Sequence, residues 1–253
     1  MSTDAGAQTP WEFRFRAVFI AIAFAIGFFL GYPLQGLLSH DVAPTIVVLG
    51  RLLGPDGVTI AAWAAAGICV LAWLVRLWGS SFHSAGLVMS GDVVTDTFTT
   101  AGPYRYVRNP LYLGNILLAL AIGCLGPPVA TVLVVLLNVW FVYRLIGIEE
   151  RFLHATNGAA YERYCAAVPR LLPRATPAAL PRDPRTPDLL YGFFTELFVF
   201  GFACAMIYVA IVVPSGQLQR ANVGTTFWLI ALGGIALQML VSRTARRARG
   251  SRA

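Results

Sequence analysis

Six apolar runs constrain this chain more than any other feature: roughly Ala17–Leu38, Val58–Trp78, Leu111–Gly126, Val129–Ile148, Leu189–Val213 and Val223–Val241. A membrane helix needs about 20 apolar residues, and only the third run is short of that scale. The runs are continuous rather than alternating. This selects helices over barrel strands, because a helix satisfies its backbone hydrogen bonds within one segment. Only 12% of the residues are charged, against about 25% in a typical soluble protein. The expected fold is an all-α membrane protein, a single bundle of about six transmembrane helices. The third and fourth runs are joined by Gly126-Pro127-Pro128 and read as a short helical hairpin.

All 19 basic residues are arginine, and their placement implies an orientation. With a cytoplasmic N-terminus and six crossings, only Arg51 and Arg220 fall outside. Arg14, Arg16, Arg105, Arg108, Arg151, Arg163, Arg170, Arg174, Arg182, Arg185 and the Arg243–Arg252 cluster fall inside, as the positive-inside rule demands. Both termini are then cytoplasmic, and the arginine- and alanine-rich composition points to a bacterial inner membrane. The net charge of +7 describes loops near anionic lipid. No basic, aromatic-studded soluble domain is present to suggest nucleic-acid binding. Arg14 and Arg16 resemble the charged start of a signal peptide, but the run after them exceeds the usual 7–15 or so residues, so it reads as a retained first span. Cys69, Cys124, Cys165 and Cys204 lie far apart, without zinc or redox spacing, and no metal is expected.

Four regions follow: an N-terminal two-span region (1–78), a core (79–173), a Pro/Arg-rich linker (174–188) and a C-terminal two-span region with a basic tail (189–253). Ser39–Gly57 reads as an outer loop. The polar stretch from Asn157 to Ala167 reads as a helix of its own, stopping at Pro169. Six prolines between Pro169 and Pro187 exclude a regular helix there, so the linker separates the core from the last two spans. Gly102-Pro103 should turn the chain, and Asn109-Pro110 should start the third span, proline being well placed in a first helical turn.

The residues that can carry chemistry gather at one end of the hairpin. Tyr104–Tyr112 precedes the third span, while Arg144, Glu149 and Glu150 end the fourth. A short hairpin makes these ends neighbours. Such a cluster suits a zwitterion: an arginine fork binds a carboxylate, and carboxylates or tyrosine faces bind an ammonium or sulfonium cation. The same residues also suit a plainer role, since interfacial arginines and tyrosines anchor helices. His83 and His154 read as structural or solvated. Glu196 falls inside the fifth run, where acids are rare and often functional.

The order Gly102-Pro103-Tyr104-Arg105-Tyr106-Val107-Arg108-Asn109-Pro110-Leu111-Tyr112-Leu113-Gly114, then a hairpin, then Glu149-Glu150, resembles the isoprenylcysteine carboxyl methyltransferase and phospholipid methyltransferase superfamily. The likeness continues through Arg151-Phe152-Leu153, Tyr161-Glu162-Arg163-Tyr164 and Val168–Pro173, and upstream through Arg76–Gly79 and Asp96–Thr100. It covers about residues 76–173. The resemblance implies an integral membrane methyltransferase that uses S-adenosylmethionine in a cytoplasmic-side cofactor pocket. A membrane lipid or lipidated acceptor, isoprenylcysteine carboxylate-like or lipid, would enter from the bilayer. It implies that Tyr104 and the turn Asn109-Pro110-Leu111-Tyr112 contact the cofactor. Asp96, Thr97, Phe98 and Thr99 would line the adenosyl pocket. Glu149 or Glu150 would hold the cofactor's polar end, and Arg144 would orient the acceptor. Arg108 is the candidate for the cofactor carboxylate on charge grounds.

Two departures stand out. Asn109 occupies a position where the superfamily often has His, and Asn cannot titrate near neutral pH, so it is no general base. The two spans beyond Leu189 exceed the superfamily's shorter members. Two other readings stay open: an NADPH-dependent membrane reductase of sterol-reductase type, although Asn115 stands where an acid is usual, and a non-enzymatic transporter or assembly protein. A carboxylate acceptor requires only alignment by Arg144. An amine or hydroxyl acceptor requires a base, for which Glu149 or Glu150 is nearest.

Overall fold

The computed structural model describes residues 11, 15–83, 98–213 and 221–250, with side chains in the last stretch from Asn222 to Arg243. Within these residues every regular element is helical. In order they are α1 (Arg16–Leu38), α2 (Thr45–Leu53), α3 (Gly57–Ser81), a 3-10 turn (Gly102–Arg105), α4 (Pro110–Gly123), α5 (Pro128–Ala167), α6 (Leu189–Thr195), α7 (Leu197–Val212) and α8 (Ala221–Gly250). The all-α membrane class is as expected, and each apolar run forms helix.

The count of six spans needs correction. Four helices among the described residues are long and apolar enough to cross a membrane: α1, α3, α5 and α8. A fifth span exists if α6 and α7, bent by 71° at Glu196, are taken together. Helix α4 has only 14 residues. At 1.5 Å per residue that is about 21 Å, short of a hydrocarbon core of about 30 Å.

Helix α2 explains how so short a helix is accommodated. Its first N–H groups, which no helix can satisfy internally, meet the carbonyls beyond the end of α4. Thr45 N donates to Gly126 O at 2.7 Å and Ile46 N to Cys124 O at 3.2 Å. The Thr45 hydroxyl adds bonds to Gly126 O (2.9 Å) and Thr131 Oγ1 (2.6 Å). The two helices therefore stack end to end beside α3. The supposed outer loop Ser39–Gly57 thus holds a helix whose Thr45, Ile46 and Gly50 are buried.

Small residues set the packing. One face of α3, with Ala61, Ala62, Ala65, Ala66, Cys69 and Ala72, carries the main core, which Leu118 and Ala121 of α4 and Ala203, Met206 and Ala210 of α7 complete. Such residues let helix backbones approach without a hydrophobic driving force between them. Proline opens both hairpin helices at the first helical positions. Helix α5 runs for 40 residues and breaks at Gly158, whose φ of 48° is a glycine conformation. The polar helix expected from Asn157 is the part beyond this break.

The proline-rich segment after α5 is a strap rather than a spacer. Its backbone pairs with the turn before α4: Arg108 N donates to Pro169 O (2.9 Å), Arg174 N to Tyr106 O (3.0 Å) and Ala178 N to Arg105 O (2.8 Å). Its last residue closes on α3, where Asp188 N donates to Ser81 O (2.8 Å).

Candidate active site

The site is built on the turn that enters α4. Gly102 opens it with a φ of 54°, and a side chain there would overlap the Phe82 ring. The 3-10 turn then buries Tyr104. Its hydroxyl bonds His83 Nε2 at 2.5 Å, and its carbonyl accepts from the Tyr164 hydroxyl at 2.9 Å. Arg105 clips the turn to the strap by donating to Ala178 O and Leu180 O. Asp183 accepts from Thr100 N at 2.9 Å. Burial raises the Asp183 carboxyl, but the Thr100 and Arg185 amides and the Arg185 charge outweigh it and hold the group below its usual range. Burial pushes the Tyr104 phenol well above its usual range, and the nearby charge of Glu149 adds to that. Desolvation pushes His83 down to about 4, with the Arg185 charge second. His83 is thus neutral, and its Nε2 and the Tyr104 hydroxyl share one hydrogen bond whose direction follows the imidazole tautomer.

Adjacent glutamates point about 100° apart on a helix, and here they serve two clusters. The Glu149 carboxylate lies near the buried Tyr112 hydroxyl across the hairpin. Glu150, 7% exposed, pairs instead with Arg108 (3.1 Å) and Arg170 of the strap (2.6 Å). Arg108 also donates to Cys165 O at 2.7 Å, while its Nε is buried without a partner.

The other expected site residues divide as follows. Phe98 stacks against Tyr161 and Tyr164, with centroids 5.1 and 5.2 Å away. Thr99 is buried and accepts from Ala101 N at 3.3 Å. Asn109 precedes α4 and donates to Arg170 O at 3.0 Å. Pro110 is buried in the first turn of α4, and the Leu111 carbonyl accepts from Arg76 at 3.0 Å. Arg144 lies on an exposed part of α5. Asp96 and Thr97 lie outside the described residues.

Sequence comparison bears on this same stretch. Residues 59–159 match the phospholipid methyltransferase family. The match spans the entry turn, the hairpin, Arg144, Glu149 and Glu150, so the resemblance read from the residues is borne out. The cobalt-zinc-cadmium resistance protein CzcN of Cupriavidus metallidurans is 31% identical over 134 residues, covering 53% of this chain and 51% of that protein. Methanethiol S-methyltransferase 2 of Bradyrhizobium diazoefficiens is 30% identical over 125 residues, covering 46% and 48%. The chain spans about half the length of the curated relatives it matches. No solved structure matches.

The sequence does not reveal the groups behind this turn. Arg76 enters the resemblance only within Arg76–Gly79, although an arginine within an apolar run is itself a signal. His83 read as a lone interfacial histidine, and nothing in the sequence shows it facing Tyr104. Arg170 read as a cytoplasmic loop charge, yet it closes the Glu150 cluster. Among the described residues no group of His, Cys, Asp or Glu could hold a metal ion.

Proposed function

We propose that this protein transfers the methyl group of S-adenosylmethionine to a lipophilic acceptor. The observation that carries this reading is the nearness of Glu149 to the buried Tyr112 hydroxyl across the hairpin, with Tyr104 close enough to feel the Glu149 charge. The residues present fit the cofactor. A carboxylate between two tyrosines suits a sulfonium centre. The unpartnered Nε–H of Arg108 offers a donor to the cofactor's carboxylate. The Phe98 ring and Thr99 are the candidates for the adenosyl side.

When bound, S-adenosylmethionine supplies a methyl group already activated by its positive sulfur. The chain's own work is then alignment and exclusion of water. Tyr112 lies beside the Glu149 carboxylate. The His83–Tyr104 bond fixes the turn, with His83 neutral at pH 7. Arg144, on the exposed side of α5, orients an acceptor arriving from the bilayer. An acceptor that is already an anion, such as an isoprenylcysteine carboxylate, needs no base. A thiol, amine or hydroxyl gives up a proton, and Glu149 or Glu150 is the candidate to take it. In this reading the pocket opens to the cytoplasmic side of a bacterial inner membrane.

The test uses purified protein in detergent. S-adenosylmethionine and NADPH are titrated separately while the melting temperature is followed, and labelled methyl transfer is then measured to phospholipid, prenylcysteine and hydrophobic thiol. A selectively bound cofactor raises the melting point. Stabilisation by S-adenosylmethionine and transfer to one acceptor class are expected. Stabilisation by NADPH alone overturns the reading.

A further inference from the structure

A buried ion pair ties the C-terminal helices to the entry of α4. Arg76, on α3, is 9% exposed, and Glu196, at the break between α6 and α7, is 0% exposed. Arg76 Nε donates to Glu196 Oε2 at 2.6 Å. The same guanidinium donates through NH1 to the Leu111 carbonyl (3.0 Å) and to Asn115 Oδ1 (2.6 Å) on the first two turns of α4. The other Glu196 oxygen accepts from the Ser80 hydroxyl. Gly114 makes the passage possible, because a Cβ there would overlap the Arg76 stem. Glu196 lies beyond the stretch that matches the methyltransferase family, and Arg76 lies inside it.

We propose that Arg76 and Glu196 are a positioning pair, through which α6 and α7 hold the first turn of α4 in the geometry that binds the methyl donor. This rests on reading that turn as the donor site. The argument is one of cost. Taking two charges out of water is expensive, and well-packed apolar residues of similar volume are often as stable or more so. Core filling alone therefore gives no reason for an arginine here. Arg76 does what no apolar residue can. It grips a backbone carbonyl and an amide oxygen of α4 while its charge is neutralised from the α6–α7 break. The bend of 71° at that break brings the Glu196 carboxylate to the arginine. The C-terminal helices are then part of the catalytic unit rather than an appendage.

The test compares the full-length parent with the double variant Arg76→Met/Glu196→Met and with Glu196→Gln. Three quantities are read: melting temperature, KM for donor and acceptor separately, and amide hydrogen exchange at residues 111–115 without ligand. The expected result for the double variant is a retained cooperative melt, a donor KM raised about tenfold, an acceptor KM within about twofold, and faster exchange at 111–115. A donor KM within about twofold of the parent, or unchanged exchange at 111–115, overturns the proposal. If the double variant fails to fold, Glu196→Gln decides: it keeps the shape and removes the charge, and normal exchange with normal donor KM overturns the idea equally. A parent that binds no S-adenosylmethionine overturns the donor-site reading and, with it, the functional half of the proposal. The exchange measurement still reports whether the pair fixes the turn.

Discussion

Placing a proton on His83 is the perturbation whose cost follows most directly from the structure. Unfolded, the imidazole titrates at its ordinary 6.5; folded, desolvation and Arg185 bring it to about 4. At 1.36 kcal/mol per unit, that difference corresponds to roughly 3 kcal/mol. The folded pKa is the lower one, so between the two values the unfolded chain binds more protons. Stability therefore rises with pH across this window. The contribution is complete above pH 6.5 and is lost as pH falls toward 4. The cause is local: a charged imidazole must sit desolvated near the Arg185 charge.

The assay is denaturation in detergent from pH 7.5 to 4.5 for the parent and His83→Gln. Glutamine keeps an acceptor for Tyr104 and cannot titrate. The other acid-sensitive groups are common to both proteins and cancel in the difference. Asp183, with its folded pKa below 3.8, contributes stability that is lost only at lower pH. The parent is expected to lose about 3 kcal/mol relative to His83→Gln across the window. Parallel curves for the two proteins would refute the placement of a desolvated, neutral His83 against Tyr104.

Three further outcomes follow from the same geometry. Glu150→Ala leaves the Arg108 charge buried without its partner and should cost about 3 kcal/mol, whereas Arg170→Ala removes a half-exposed partner and should cost about 1 kcal/mol or less; chemical denaturation distinguishes them. Gly114→Ala drives a methyl into the Arg76 stem and should cost about 1–3 kcal/mol, seen as a lowered melting temperature. Arg144→Ala should abolish labelled methyl transfer while keeping the melting-temperature rise given by S-adenosylmethionine, and unchanged turnover would remove Arg144 from the mechanism.

Each of the six apolar runs forms helix, because burial of apolar side chains and internal backbone pairing leave few alternatives in lipid. Hydropathy misjudged lengths. The residues after Gly123 are apolar, but Cys124-Leu125-Gly126 form the turn into Pro127 rather than more helix. The nine residues of α2 lie between Pro44 and Gly54-Pro55, a setting that looks like a loop. Their helical state comes from tertiary partners, the carbonyls of Cys124 and Gly126. The run from Leu189 is continuous in composition, yet it breaks at Glu196, whose carboxylate accepts from Arg76. The proline-rich strap was legible as non-helical. What it docks on was not, since its bonds are mostly backbone to backbone and carry no side-chain signature.

The site was legible to the extent that the hairpin dictates neighbours. Tyr112 lies in the first turn of α4 and Glu149 well along the 40-residue α5, so the tight turn puts the two helices side by side and packing brings the two side chains near each other. Division of labour between Glu149 and Glu150 is a matter of helical phase. Neighbouring residues on one helix cannot share a target, and the phase of α5 against α4 is set by packing, not by local sequence. The short α4 ties these observations together. A helix long enough to span alone would carry its first turn toward the headgroup water. With α2 supplying the missing length at the other end, that turn can stay where Arg76 reaches its carbonyl and Tyr104 and Tyr112 remain buried. Water-poor surroundings are where a carboxylate beside a tyrosine acts most strongly on a cation, so the length of α4 is itself a component of the chemistry proposed for this site.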